Sequence, residues 1–204
     1  MLEERIHLRQ AFRPYPYPGF QFHVRPLQRS DMRDLILITG GCPGLPYEAV
    51  QGAKAKGGFV VGISPGLSLD EHQGKYRSPV EGFDVLVYTG SGLMGREITN
   101  IRSCDIVIIA GGRTGTLGEF AIAYDEGRLI GVLTGTGGIT TLIPEMINVS
   151  QKQTGAHVIY DEDPLKPVKR LITFYKTEHI RKPSCFCEDR PSARADGRKE
   201  LTNA

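Results

Sequence analysis

The feature that most constrains this chain is the passage over residues 104–128, CDIVIIAGGRTGTLGEFAIAYDEGR. Its Ile106–Ala110 segment is an unbroken apolar run, short enough for a strand buried on both faces. A tight glycine-rich turn, Gly111-Gly112-Arg113-Thr114-Gly115-Thr116, follows it. From Leu117 the pattern becomes helical. Leu117, Phe120, Ala121 and Tyr124 recur at three- and four-residue steps, and Gly127 supplies the stop. Strand, glycine turn and helix is the arrangement in which backbone N–H groups and a helix dipole converge on an anion. On this reading Glu119 falls in the first helical turn. There it either stabilises the helix by about 0.3–1 kcal/mol or faces a ligand, and spacing alone leaves both open.

The rest of the chain repeats the alternation. Leu35–Thr39 reads as a strand, residues 40–45 as a glycine turn, and Pro46 as a helix start, where its missing N–H costs nothing. A helix over 47–56 and a strand over 59–63 complete a βαβ unit, so the two strands are expected to be parallel. Residues 64–83 form a long polar loop holding His72, Lys75, Tyr76 and Arg77, a length often associated with function. A strand over 84–88 leads through Thr89-Gly-Ser-Gly92 to a helix over 93–102. That helix is expected to bury Met94, Ile98 and Ile101, with Arg96 and Asn100 one turn apart on another face. Leu129–Leu133 gives a further strand, 134–138 another glycine turn, 139–149 a helix, 157–160 a short strand and 164–177 an amphipathic closing helix. Strands alternating with helices predict an α/β fold, one doubly wound, mostly parallel sheet with helices on both faces.

The expected organisation is an N-terminal arm over 1–30, the α/β domain over 31–179 and a tail from 180 to 204. Alternating prolines between Arg13 and Gly19 exclude a helix there. Phe20, Phe22 and Val24 alternate with polar residues, which suits a half-buried or edge strand. The arm reads as a wrap over the core, with a ligand-binding lid as the alternative. The tail is too polar to offset its ordering entropy, so disorder is expected.

Hydrophobic content of 40% and charged content of 24% suit a soluble globular protein with one sizeable core. No apolar run approaches the roughly 20 residues of a membrane span, and the charged N-terminus lacks a secretion signal. A cytoplasmic protein without membrane partners is therefore expected. The net charge of +2 comes with no basic stripe interleaved with aromatics, so no nucleic-acid partner is expected. The 4 cysteines do not make a disulfide scaffold in this length. Cys42 and Cys104 read as packed thiols, and Cys185 with Cys187 near His179 offers too few ligands for a metal site. Neither a metal nor a cofactor is expected.

Three glycine-rich turns, over 40–45, 89–95 and 111–116, leave strands at the carboxyl edge where doubly wound sheets bind ligands. Together they point to a phosphate-bearing small molecule. The dinucleotide fingerprint is not met, because the first turn lacks G-x-G-x-x-G spacing and no acidic residue ends the next strand. No glycine loop ends in G-K-[ST], so the Walker pattern is absent as well.

The segments GGCPGLPYEAVQGAKAKGG, GLMGREITNIRSCD and GGRTGTLGE resemble the LOG (Lonely Guy) family, the cytokinin riboside 5′-monophosphate phosphoribohydrolases. The resemblance covers roughly Leu35 to Val149. Its hallmark is a P-G-G-x-G-T-x-x-E loop with an arginine upstream of the aspartate that opens the preceding strand, here Arg96 and Asp105. Gly111 stands where the family has proline, Arg113 where it has a second glycine, and Glu97 where a lysine commonly follows the arginine. The resemblance implies a Rossmann-like fold, no cofactor, and hydrolysis of a nucleoside 5′-monophosphate to free base and ribose 5-phosphate. It assigns catalysis to Glu119 and to Arg96 as its partner. Nucleotide and phosphate binding would fall to Gly40, Gly41, Gly44, Gly112, Arg113, Thr114, Gly115 and Thr116. It also implies a homodimer or higher oligomer. Related proteins of this fold carry the molybdenum cofactor without cleaving anything, so a carrier is the alternative. Asn100 reads as a structural partner of the loop, and His72 and His157 as packing or surface residues. Lys54, Lys56 and Lys75 sit in no pyridoxal phosphate motif, so a decarboxylase has no support.

Overall fold

The computed structural model describes residues 20–24, as backbone, and residues 35–179. Expectations for the prolines before Gly19 and for the tail with Cys185 and Cys187 lie outside the described residues. In chain order the elements are β1 Phe20–Val24, β2 Leu35–Thr39, α1 Leu45–Ala55, β3 Phe59–Ser64, β4 Val85–Tyr88 and α2 Gly92–Arg102. Then come β5 Ile106–Ala110, α3 Thr114–Asp125, β6 Leu129–Leu133, α4 Ile143–Ser150, β7 His157–Asp161 and α5 Leu165–Phe174.

The strands make one 7-stranded sheet in the order β4-β3-β2-β1-β5-β6-β7. Every pair is parallel except those of β1, which runs antiparallel to β2 and β5 with Phe22 opposite both Leu37 and Ile106. The segment read as a half-buried or edge strand, in an arm wrapped over the core, therefore stands in the middle of the sheet. Its alternating pattern is that of a strand with one wet face, and nothing local in it reveals the neighbours on both sides.

Successive residues of β5 point to opposite faces, as strand geometry requires. Ile106 and Ile108 pack with Leu45 and Val50 of α1 and Val168 and Leu171 of α5. Val107 and Ile109 pack with Ile101 of α2, Phe120 and Ala123 of α3, and Ile143 of α4. All of β5 and β6 is buried, which explains their unbroken apolar sequences. The doubly wound α/β reading holds.

The chain builds β2, β3 and β4 outward in one direction. It then crosses back through α2 and builds β5, β6 and β7 in the other. The reversal lies between β2 and β5, and the crevice beyond their carboxyl ends is where such sheets take ligands. Because β1 is antiparallel, its first residue Phe20 lies toward that same edge, opposite Ile108 of β5.

Three local expectations need correction. The third glycine turn is shorter than expected, since α3 begins at Thr114 and takes Gly115 and Thr116 into its first turn. The helix expected over 139–149 is interrupted: a 3-10 turn Gly138–Thr141 precedes α4, whose first turn holds Pro144. Proline has no N–H to give a preceding turn, so the α-helix must start there. Finally, α2 is turned the other way. Met94 and Ile98 are 63% and 44% exposed, while Arg96, Glu97 and Asn100 are buried beside Ile101.

Candidate functional site

The first glycine turn leaves β2 with its amides drawn inward. Gly41 donates its N–H to Thr39 Oγ1 at 3.1 Å, and its φ of 63° suits a residue without a Cβ. The guanidinium of Arg96 lies over Gly40, so that any Cβ there would land on it. Arg96 also donates from Nη2 to Cys42 Sγ at 3.8 Å. Burial pushes the Cys42 thiol pKa up, against the pull of Arg96 and with the push of Glu119. Cys42 is thus part of the site wall, whereas Cys104 is a packed thiol donating to the Asn100 carbonyl at 3.0 Å. Gly44 caps the start of α1.

A second support comes from the long loop, which holds a π-helical turn, Glu71–Lys75. His72 is fully buried and lies under Gly41. Its Nε2 lies 2.9 Å from the Pro79 carbonyl and its Nδ1 2.8 Å from Ser64 Oγ. A carbonyl only accepts, so Nε2 carries the proton, and in the neutral ring Nδ1 accepts from Ser64. His72 is a packing residue that ties the loop to the turn. His157, stacked on Phe174 with ring centroids 4.1 Å apart, is likewise structural. The Thr89–Gly92 turn is knitted to residues 64–67, with Gly90 against Leu67.

The third turn is braced from the side. Thr136 Oγ1 accepts the Gly111 N–H at 2.9 Å and donates to the Leu133 carbonyl at 2.6 Å. Ile139 donates its N–H to the Gly112 carbonyl at 3.1 Å. Gly111 has φ 56° and Gly112 φ 88°. Proline is locked near φ of about −65°, so the family's proline could not occupy this conformation. Arg113, by contrast, has φ −130° in an ordinary extended region, and glycine is not required there. Arg113 and Thr114 are exposed at the mouth of the turn. The helix opens with no side-chain cap, so its first amides have no partner within the helix. The Thr116 hydroxyl is buried against Gly112 and has no hydrogen-bond partner.

Glu119 is the sixth residue of α3, counting from Thr114, and it is buried. The dipole effect fades within the first turn, so helix stabilisation is a weak account of this carboxylate. Asn100 Nδ2 donates to its Oε1 at 3.3 Å. Arg96 and Glu119 both act electrostatically on Cys42 and on Glu97, with opposite signs. Glu97 lies between α2 and α3, where a Cβ on Gly115 would stand 3.0 Å from its Oε1 and one on Gly118 would stand 2.7 Å from its Oε2. Its carboxyl pKa is pushed up to about 7, first by burial and then by Glu119, with Arg96 opposing. Perturbed carboxyls in a cleft are a recognised mark of function.

The structure thus sets Arg96 over Gly40, Thr116 against Gly112, and Glu97 against the Gly115 and Gly118 face of α3, with Glu119 joined to Asn100 and Arg113 and Thr114 exposed. The sequence reading gave too little weight to Asn100, Glu97 and Cys42. The available signal was the polar cluster Arg96, Glu97 and Asn100 at helical spacing opposite Met94 and Ile98. Among the described residues, no group of three or more His, Cys, Asp or Glu is arranged to hold a metal. No helix among them is long and apolar enough to cross a membrane.

Residues 31–168 match the SLOG cluster4 family. The chain belongs to that family. A curated but uncharacterized protein of Archaeoglobus fulgidus is 34% identical to this SLOG protein over 99 residues, 48% of the chain; the match spans 59% of that relative's length. Among solved structures, the molybdenum cofactor binding protein of Rippkaea orientalis is 28% identical, with TM-score 0.53 over 67% of this chain and 77% of that one. The molybdenum cofactor carrier protein of Chlamydomonas reinhardtii is 25% identical, with TM-score 0.50 over 68% of this chain and 78% of that one. TM1055, 24% identical with TM-score 0.51, covers 72% of this chain and 95% of its own, and shares the fold. The LOG-like assignment and the Rossmann-like fold read from the sequence both hold.

Proposed function

We propose that this SLOG protein binds a nucleoside 5′-monophosphate, AMP or an N6-substituted adenine nucleotide, and hydrolyses its N-glycosidic bond. The observation that carries the reading is Glu119: a buried carboxylate past the first turn of α3 that accepts from Asn100 and acts with Arg96 on the same Cys42 thiol. Keeping such a charge away from water costs several kcal/mol, which packing alone does not repay. The 5′-phosphate would sit on the open amides of Thr114, Gly115 and Thr116, with Arg113 adding a charge-assisted contact from the mouth. Arg96 would hold the nucleotide against the Gly40 turn. At C1′ the breaking bond leaves positive charge, which Glu119 would stabilise while orienting water for attack.

Incubation of the protein with AMP is expected to release adenine and ribose 5-phosphate. Glu119→Gln should lower release by ~10²–10⁴-fold while preserving nucleotide binding; a Glu119→Gln protein as active as the wild type would refute the assignment. The second reading, a molybdenum cofactor carrier, is favoured by the two solved structures that bind or carry that cofactor. It predicts tight binding of the cofactor and no base release from any nucleoside monophosphate. We also propose a homo-oligomer in which a second copy covers Leu93, Met94 and Ile98 on the outer face of α2, to be checked by light scattering.

A further inference from the structure

We propose that Glu97 is a second catalytic carboxyl of this site, the acid that protonates the departing base while Glu119 remains ionised. The inference rests on the hydrolase reading and deepens it. Glu97 is only 4% exposed, and its Oε2 has no hydrogen-bond partner. Its carboxyl lies along the Gly115 and Gly118 face of α3. Gly115 and Glu119 are four residues apart, so they occupy the same face of that helix. The two carboxyls therefore share one wall, where α2 and α3 approach closely because both facing α3 positions are glycine.

The charged groups acting on Glu97 are Glu119 from α3 and Arg96 from its own helix; the glycines opposite contribute none. Glu119 acts on Glu97 so as to disfavour its ionisation, and of two carboxyls that repel in this way one retains its proton. Burial assigns the proton to Glu97, consistent with a pKa near 7. Glu119 has the Asn100 amide donating to it, which favours its charged form.

The cycle balances. As the C1′–N bond breaks, its electron pair leaves with the base, and Glu97 gives its proton to a base nitrogen. Water adds to C1′ and yields its proton to Glu119. That proton passes back to Glu97, restoring both groups. No oxidant or metal is needed. The glycosidases offer the general precedent of an acid and a carboxylate flanking one scissile bond.

The test compares two substrates on the intact protein: AMP, and a ribose 5-phosphate bearing nitrophenolate at C1, a leaving group stable without a proton. AMP hydrolysis by the wild type should fall as pH rises through about 7, where Glu97 loses its proton, and nitrophenolate release should not. Glu97→Gln should lose ~10²-fold on AMP, lose the alkaline fall, and release nitrophenolate within a few-fold of wild type. Glu119→Gln should lose both. Parallel pH profiles for the two substrates in the wild type would overturn the role of Glu97 whether or not the variant folds. Equal losses on both substrates in a folded Glu97→Gln would do the same and leave the hydrolase standing. Cleavage of neither substrate by the wild type would overturn the hydrolase reading, and this inference with it.

Discussion

Helices α2 and α5 pack on opposite faces of the same sheet and obey opposite rules. In α5, Pro167, Val168 and Leu171 are buried, while Lys166, Lys169 and Arg170 are exposed. That is the ordinary amphipathic solution, in which the apolar stripe faces the core. In α2 the buried set is Arg96, Glu97, Asn100 and Ile101, and the exposed set includes Leu93, Met94 and Ile98. A helix that turns its polar residues inward loses burial of apolar surface and must desolvate charge. Folding alone does not favour that. The difference separates a helix that serves the core from one that turns its polar residues toward the Gly40 turn and α3.

The comparison can be broken at several points, beginning with the largest expected effect. Glu119→Gln should lower base release by ~10²–10⁴-fold and barely alter thermal unfolding; a large stability change with intact activity would make α3 structural too. Leu171→Ala should cost about 2–5 kcal/mol of stability and leave turnover per folded molecule unchanged in denaturant titration paired with assay. Glu97 supplies a pH test. Its native pKa is raised, so the folded protein binds an extra proton, and the stability this gives is complete below the ordinary carboxylate range. It is lost as pH rises toward about 7, the raised value of the Glu97 carboxyl, at a slope of up to about 1.4 kcal/mol per pH unit. Unfolding of Glu97→Gln across this window should lack that component, and matched slopes would mean the carboxyl is not perturbed. Smallest is Met94→Ser, expected to stay within about 0.5 kcal/mol in stability while weakening self-association. A monomeric wild type with unchanged Met94→Ser behaviour would leave the outer face of α2 unexplained.

Much of the architecture was legible because local and global signals agreed. Ile106–Ala110 and Leu129–Leu133 were recognisable because strands buried on both faces cannot carry polar residues. Val168 and Leu171 marked the buried face of α5 because nothing there competes with packing. The α2 helix was misread because hydrophobic periodicity assumes burial is the strongest demand. At Arg96 and Asn100 the demand came from Gly40 and Glu119, which are remote in sequence. The onset of α3 was missed because glycines discourage a helix by propensity, yet Gly115 and Gly118 are what let Glu97 approach. Phe20–Val24 was recognised as a strand, but its position depends on partners that no local pattern reveals.

That strand has a consequence for how the molecule assembles. Without β1 the sheet is two separate three-stranded ribbons, β4-β3-β2 and β5-β6-β7, and β1 is hydrogen-bonded to both. It works as a keystone: the inner rims at β2 and β5 stay open ladders until it is seated. Open ladders are the edges most prone to pairing with other chains. Seating it also brings together segments far apart in sequence, a kind of closure that slows folding. Arg96 lies over Gly40 at the end of β2, and Glu119 stands on the helix that follows β5, so the step that closes the sheet also sets how these two residues stand to one another.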